Sequence, residues 1–110
     1  MTDSITPEQW LKIANEVEPE HKWEAKGLMV FYNYITAHGR YKNYYNPKNK
    51  ASRLAIADYL AEKSVYVGKD SESGEFHCFK IRDCMADIIS RGKDINLCRA
   101  LAVLALIGED

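Results

Sequence analysis

The sequence predicts an α+β fold: one domain in which helices pack on a mainly antiparallel β-sheet as a layered sandwich. Three observations carry this. Segments with helical and strand periodicity follow one another as helix, strands, helix, strands, helix. No internal repeat and no Pro- or Ser-rich linker divides the 110 residues, so one core is expected. Apolar residues make up 46% and charged residues 28%, which excludes general disorder and fibrous classes. The domain is read as residues 1–110, with an N-terminal helix over 6–18 and the sheet and remaining helices over 28–108.

The first helix has a complete start signal. Thr6 can accept from the Gln9 amide while the Gln9 side chain reaches back, Pro7 suits the first helical position, and Ile5 can staple onto Trp10. Trp10, Ile13, Ala14 and Val17 share one face, and Pro19 stops the helix. Glu16, Glu18, Glu20 and Glu24 make its exit acidic. Leu28 to Thr36 are almost all strand formers, with faces Leu28/Val30/Tyr32/Tyr34 and Met29/Phe31/Asn33/Ile35, the second more apolar. Ala37-His38-Gly39 turns the chain, and Tyr41 to Tyr45 return as a short strand.

Asn46 is the expected N-cap of the next helix, with Pro47 at its first position. Ala51, Leu54, Ala55, Ile56, Ala57, Leu60 and Ala61 continue it. Val65-Tyr66-Val67 reads as a strand, Asp70 to Gly74 as a loop and Phe76 to Ile81 as the hairpin partner. Cys84 to Ser90 fits both a helix and a strand, and strand is the reading adopted. Arg91-Gly92-Lys93 turns, Asp94 caps, and Ile95 to Ile107 form the last helix, ending at Gly108. From Ala100 to Ile107 this helix has no polar residue, so it must be covered nearly all round, by the core or by a second copy. A homo-oligomer is therefore expected.

Charge carries the functional expectation. Lys26 to Arg53 holds six basic residues and no acidic one, and five of the seven tyrosines lie between Tyr32 and Tyr45. The chain's net charge of −1 thus conceals a basic, aromatic segment between acidic flanks. Cations interleaved with aromatic faces suit an anionic, planar partner of nucleotide type. Tyr32 and Tyr34 share a strand face, and if the next segment pairs with theirs, one side of the hairpin becomes an aromatic surface edged by cations. The candidate ligand-binding residues are Tyr32, Tyr34, Arg40, Tyr41, Tyr44, Tyr45, Asn46, Lys48 and Arg53, with an anion at the helix start of Asn46. Two rival readings use the same residues: a host-protein interface, since tyrosine and arginine dominate interface hot spots, and half-buried strand tyrosines that merely cover a helix.

Other chemistries are not spelled out. His77 and Cys78 point to opposite faces of a strand and no C-x₂-C pair exists, so neither a metal nor a cofactor is expected. His21, His38 and His77 have no spacing that suggests activating a thiol, and Asp83 and Asp87 sit among Lys80 and Arg82 as a salt-balanced face. The expectation is a non-enzymatic protein. Three irregularly spaced cysteines read as reduced thiols, and the longest apolar run is too short to span a bilayer, so a cytoplasmic protein without membrane contact is expected. A sequence pI near 6.3 argues against duplex DNA as the partner.

Three pieces of the second half resemble a small phage-encoded α-β-α sandwich family of accessory proteins. They are Tyr45-Asn46-Pro47-Lys48-Asn49 before the alanine-rich helix, the hairpin around Gly74-Glu75-Phe76, and Ser90 to Ala100 opening the last helix. The resemblance spans roughly Tyr44 to Gly108. It implies a viral protein in the cytoplasm of an infected host, acting by stoichiometric binding and in counter-defence.

Overall fold

The computed structural model describes residues 5–46 and 49–108. It is an α+β fold with the element order α1 (Pro7–Val17), β1 (Glu24–Lys26), β2 (Met29–Thr36), β3 (Gly39–Tyr44), α2 (Lys50–Glu62), β4 (Tyr66–Lys69), β5 (Phe76–Arg82), β6 (Met85–Gly92) and α3 (Ile95–Gly108). The strands do not share one sheet. They form two antiparallel sheets of three strands, ordered β1-β2-β3 and β4-β5-β6. The molecule is accordingly long, with principal extents of 53 × 28 × 24 Å.

Local chemistry explains the element boundaries. At α1 both halves of the capping box form: the Gln9 amide donates to Thr6 Oγ1 at 3.2 Å and the Thr6 amide to Gln9 Oε1 at 2.9 Å. At α3 the Asp94 carboxylate accepts from the Asn96 and Leu97 amides, as the sequence leads one to expect. The start of α2 is a correction: the cap is Asn49, whose Oδ1 accepts from the Ala51 amide at 3.0 Å, and Asn46 instead offers its carbonyl to the Asn49 amide. Pro47 and Lys48, also placed in that start, lie outside the described residues. At its far end α2 closes with Val65 N–H on Leu60 O and Ser64 N–H on Ala61 O, with Ser64 left-handed at φ 59°.

The segment 84–90, ambiguous by pattern, is a strand: β6 pairs with β5 through a two-residue turn, Asp83-Cys84, both at positive φ. That turn conformation matches the twist of a hairpin without using glycine. The core lies where α3 meets β5, β6, α1 and α2, and its fully buried members include Ile13, Leu60, Cys78, Cys98 and Val103. No residue of α3 before Gly108 is exposed, so the apolar helix is covered within one chain.

Candidate functional site

The first sheet is anchored at one end and free at the other. β1 spans only three residues and pairs with Met29, Val30 and Phe31 of β2. Val30 and Phe31 are buried, and the rings of Trp10, Trp23 and Tyr45 cluster at this end of the sheet, where β1 and β2 meet α1. Beyond Phe31 the sheet narrows to two strands, and residues 33–44 are exposed without interruption. Ile35 at the far end is 76% exposed. The turn at its tip is fixed by the His38 amide donating to Thr36 Oγ1 at 3.1 Å, followed by Gly39 at φ 131°, a conformation that side chains disfavour.

Register decides how the predicted site residues are divided. Tyr32 faces Asn43 and Tyr34 faces Tyr41 across the ladder, whereas Asn33 faces Lys42, Ile35 faces Arg40 and Phe31 faces Tyr44. Because successive side chains alternate, Tyr32, Tyr34 and Tyr41 occupy one face, and Arg40, Lys42 and Tyr44 the other. The expected aromatic surface edged by cations on one side is therefore split between the two sides of the ribbon.

The tyrosine face continues a row of rings that starts in the core. Trp10 meets Tyr45 at 5.8 Å, Tyr45 meets Trp23 at 5.3 Å, and Trp23 meets Tyr32 edge-on at 4.9 Å. Tyr32 meets Tyr34 at 6.0 Å, and Tyr34 stacks on Tyr41 at 5.7 Å. His21 lies flat on Tyr32 at 3.9 Å, so one face of that ring is already taken. On the opposite side Lys42 sits over Phe31, 4.7 Å from the ring centroid. A hollow of about 320 Å³ is lined by Asn33, Tyr34 and Ile35 of β2 and Arg40 of β3.

Tyr45 turns inward rather than joining the exposed set. Its hydroxyl is buried and has no hydrogen-bond partner among the described residues, and Glu18 Oε2 is in the same position. Burial, then the Glu18 charge, pushes the Tyr45 phenol well above its ordinary range. Burial, then the neighbouring Glu20, raises the Glu18 carboxyl, against a smaller lowering by His21. Tyr45 and Glu18 are thus a structural joint between α1 and the ribbon's base.

Arg53 belongs elsewhere, on α2, where it lines a groove against α3. Asn46 is exposed just after β3, and Lys48 lies outside the described residues. Of the predicted set, the structure therefore brings Tyr32, Tyr34, Arg40, Tyr41 and Tyr44 onto one ribbon. Sequence reasoning missed the third strand and the roles of His21, Trp23 and Phe31. A three-residue strand with charged ends has no apolar pattern to betray it.

Remaining polar chemistry is dispersed. Arg82 and Asp87 pair at 3.3 Å on an exposed face, as the salt-balanced reading holds. Cys78 and Cys98 are free, buried thiols with sulfurs 3.6 Å apart, and Cys84 is exposed. Burial pushes the Cys78 thiol up to about 12, so it is held as a neutral thiol. Among the described residues no group of three His, Cys, Asp or Glu side chains is placed to hold a metal, and no helix is long and apolar enough to cross a membrane. Compared with protein-family models, with curated proteins and with solved structures, the chain finds no match in any of the three. The likeness to the phage-encoded family accordingly rests on its short motifs alone.

Proposed function

We propose that this chain is a non-enzymatic binding protein that engages a protein partner by inserting the β2–β3 ribbon into an acidic cleft. One observation carries the reading: residues 33–44 form a two-stranded ribbon exposed on both faces, aromatic on one and basic on the other. A lone two-stranded ribbon is only marginally stable in water, so leaving apolar Ile35 and three tyrosine rings uncovered costs solvation that a partner would recover. Among the described residues no strand pairs with either edge of the ribbon beyond Phe31, so an added strand can satisfy the backbone groups there.

The split of the faces favours a protein over a nucleotide. A small ligand stacked on Tyr34 or Tyr41 would have its phosphates on the side opposite Arg40 and Lys42, whereas walls of a cleft can meet both faces at once. If the viral origin implied by the sequence resemblance holds, the partner is a host enzyme of defence or nucleic-acid metabolism and the binding is inhibitory. The test is photocrosslinking in the cell from a benzophenone amino acid placed at Tyr34, Tyr41 or, as control, Lys93. Crosslinks to one protein from the two ribbon sites and not from the control are expected. Equal yields from all three positions would refute the assignment.

A further inference from the structure

The groove between α2 and α3 is lined by Lys50, Arg53, Leu54 and Ala57 from one helix and Ile95, Asn96 and Arg99 from the other. We propose that it is a second binding site, for a small ligand carrying two or more phosphate groups, held by Lys50, Arg53 and Arg99. This site does not depend on the ribbon reading.

Three features converge. Lys50 and Arg53 are three residues apart on α2 and so share a side of that helix, and Arg99 answers them from α3. The volume is about 390 Å³, within the range of small-molecule sites. Among the described residues no carboxylate lines the groove, and none of the three cations is in an ion pair. Of the two acidic residues adjoining the lining in sequence, Asp94 is engaged by the Asn96 and Leu97 amides and Asp58 lines the neighbouring groove instead. The cap of α2 is likewise made by Asn49, so the site is one of side chains rather than of free helix amides.

The arrangement is unfavourable while empty. Neither helix has an acidic residue in its first turn, and three like charges share one concave surface. Like charges gathered around a groove repel, and an anion of opposite multiple charge removes that repulsion. Two guanidinium forks favour phosphate, which each can grip through two parallel hydrogen bonds, and Lys50 adds a mobile point charge. Leu54, Ala57 and Ile95 offer an apolar floor to whatever organic part the ligand carries. A long nucleic-acid backbone fits less well, because the next groove along α2 is lined by Glu16, Asp58 and Glu62.

Titration calorimetry of the full chain against inorganic pyrophosphate and against ADP, at physiological ionic strength, tests this. Saturable one-site binding is expected. Arg53→Ala and Arg99→Ala should each weaken it by about tenfold or more, and the ribbon double variant Arg40→Ala/Lys42→Ala should leave it unchanged. Arg53→Lys, which keeps the charge and loses the fork, should fall between. ADP binding tighter than pyrophosphate assigns the ligand to nucleoside phosphates, and equal affinity assigns it to the phosphates alone. Absence of saturable binding by both probes overturns the proposal, as does a ribbon variant that weakens binding as much as Arg53→Ala.

Discussion

Replacing Tyr45 by phenylalanine separates a structural tyrosine from a ligand-binding one. The ring fills the junction of α1 and the ribbon's base, 5.8 Å from Trp10 and 5.3 Å from Trp23, while its hydroxyl is buried with no partner among the described residues. A buried hydroxyl without a hydrogen bond costs about 1–3 kcal/mol of desolvation, and phenylalanine removes that cost while keeping the ring. Tyr45→Phe should therefore unfold about 1 kcal/mol less readily, raising the midpoint by about 4 °C. Tyr45→Leu, which forfeits two aromatic contacts worth about 0.5–1.5 kcal/mol each, should be less stable than the parent. Denaturant unfolding with unchanged slope is the assay. A Tyr45→Phe protein less stable than the parent would show that the hydroxyl is bonded in solution and refute the reasoning.

Further outcomes follow from burial and charge. Leu60→Ala, at a side chain only 2% exposed, should cost about 2–5 kcal/mol in denaturant unfolding, whereas Leu54→Ala, 53% exposed on the same helix, should cost under about 1 kcal/mol. In the native protein an aromatic disulfide reagent should titrate Cys84 promptly, while Cys78 and Cys98 react only on unfolding. The Glu18 carboxyl is raised from its ordinary 4.5, so the folded state holds its proton more tightly and stability falls as pH rises from about that value through the raised one. Glu18→Gln should remove that part of the pH dependence. The opposite slope at lower pH, from Asp70 held down chiefly by the Glu72 amide, should persist in that variant.

What was legible in the sequence was what local chemistry determines. The Thr6–Gln9 box, the Asp94 cap and the apolar run of α3 each act within a few residues, and each appears where expected. The segment Cys84 to Ser90 fitted both a helix and an alternating strand by pattern, and the pairing of Met85–Gly92 with β5 is what makes it a strand. The start of α2 was misplaced because two asparagines three residues apart both suit a cap, and Pro47 drew the choice to the first. Whether the strands made one sheet or two depended on pairing, which no single segment encodes. The site shows the same limit. The charge and aromatic content of the ribbon were visible in composition, but its exposure was not, and its two-sidedness depends on Tyr34 lying opposite Tyr41, which places Arg40 and Lys42 on the reverse. Arg99 joins Lys50 and Arg53 only through the packing of α3 on α2, which no sequence spacing reveals.

The central claim, that the ribbon holds a protein, is tested most directly by native mass spectrometry of the chain recovered from its own cells beside a ribbon variant. Tyr34→Ala/Arg40→Glu/Tyr41→Ala/Lys42→Glu changes only exposed side chains and should leave the circular dichroism intact. A peak for a complex with a second protein in the parent, absent from the folded variant, is the expected result. A complex that persists in the variant, or a retained small molecule with no protein partner, would contradict it.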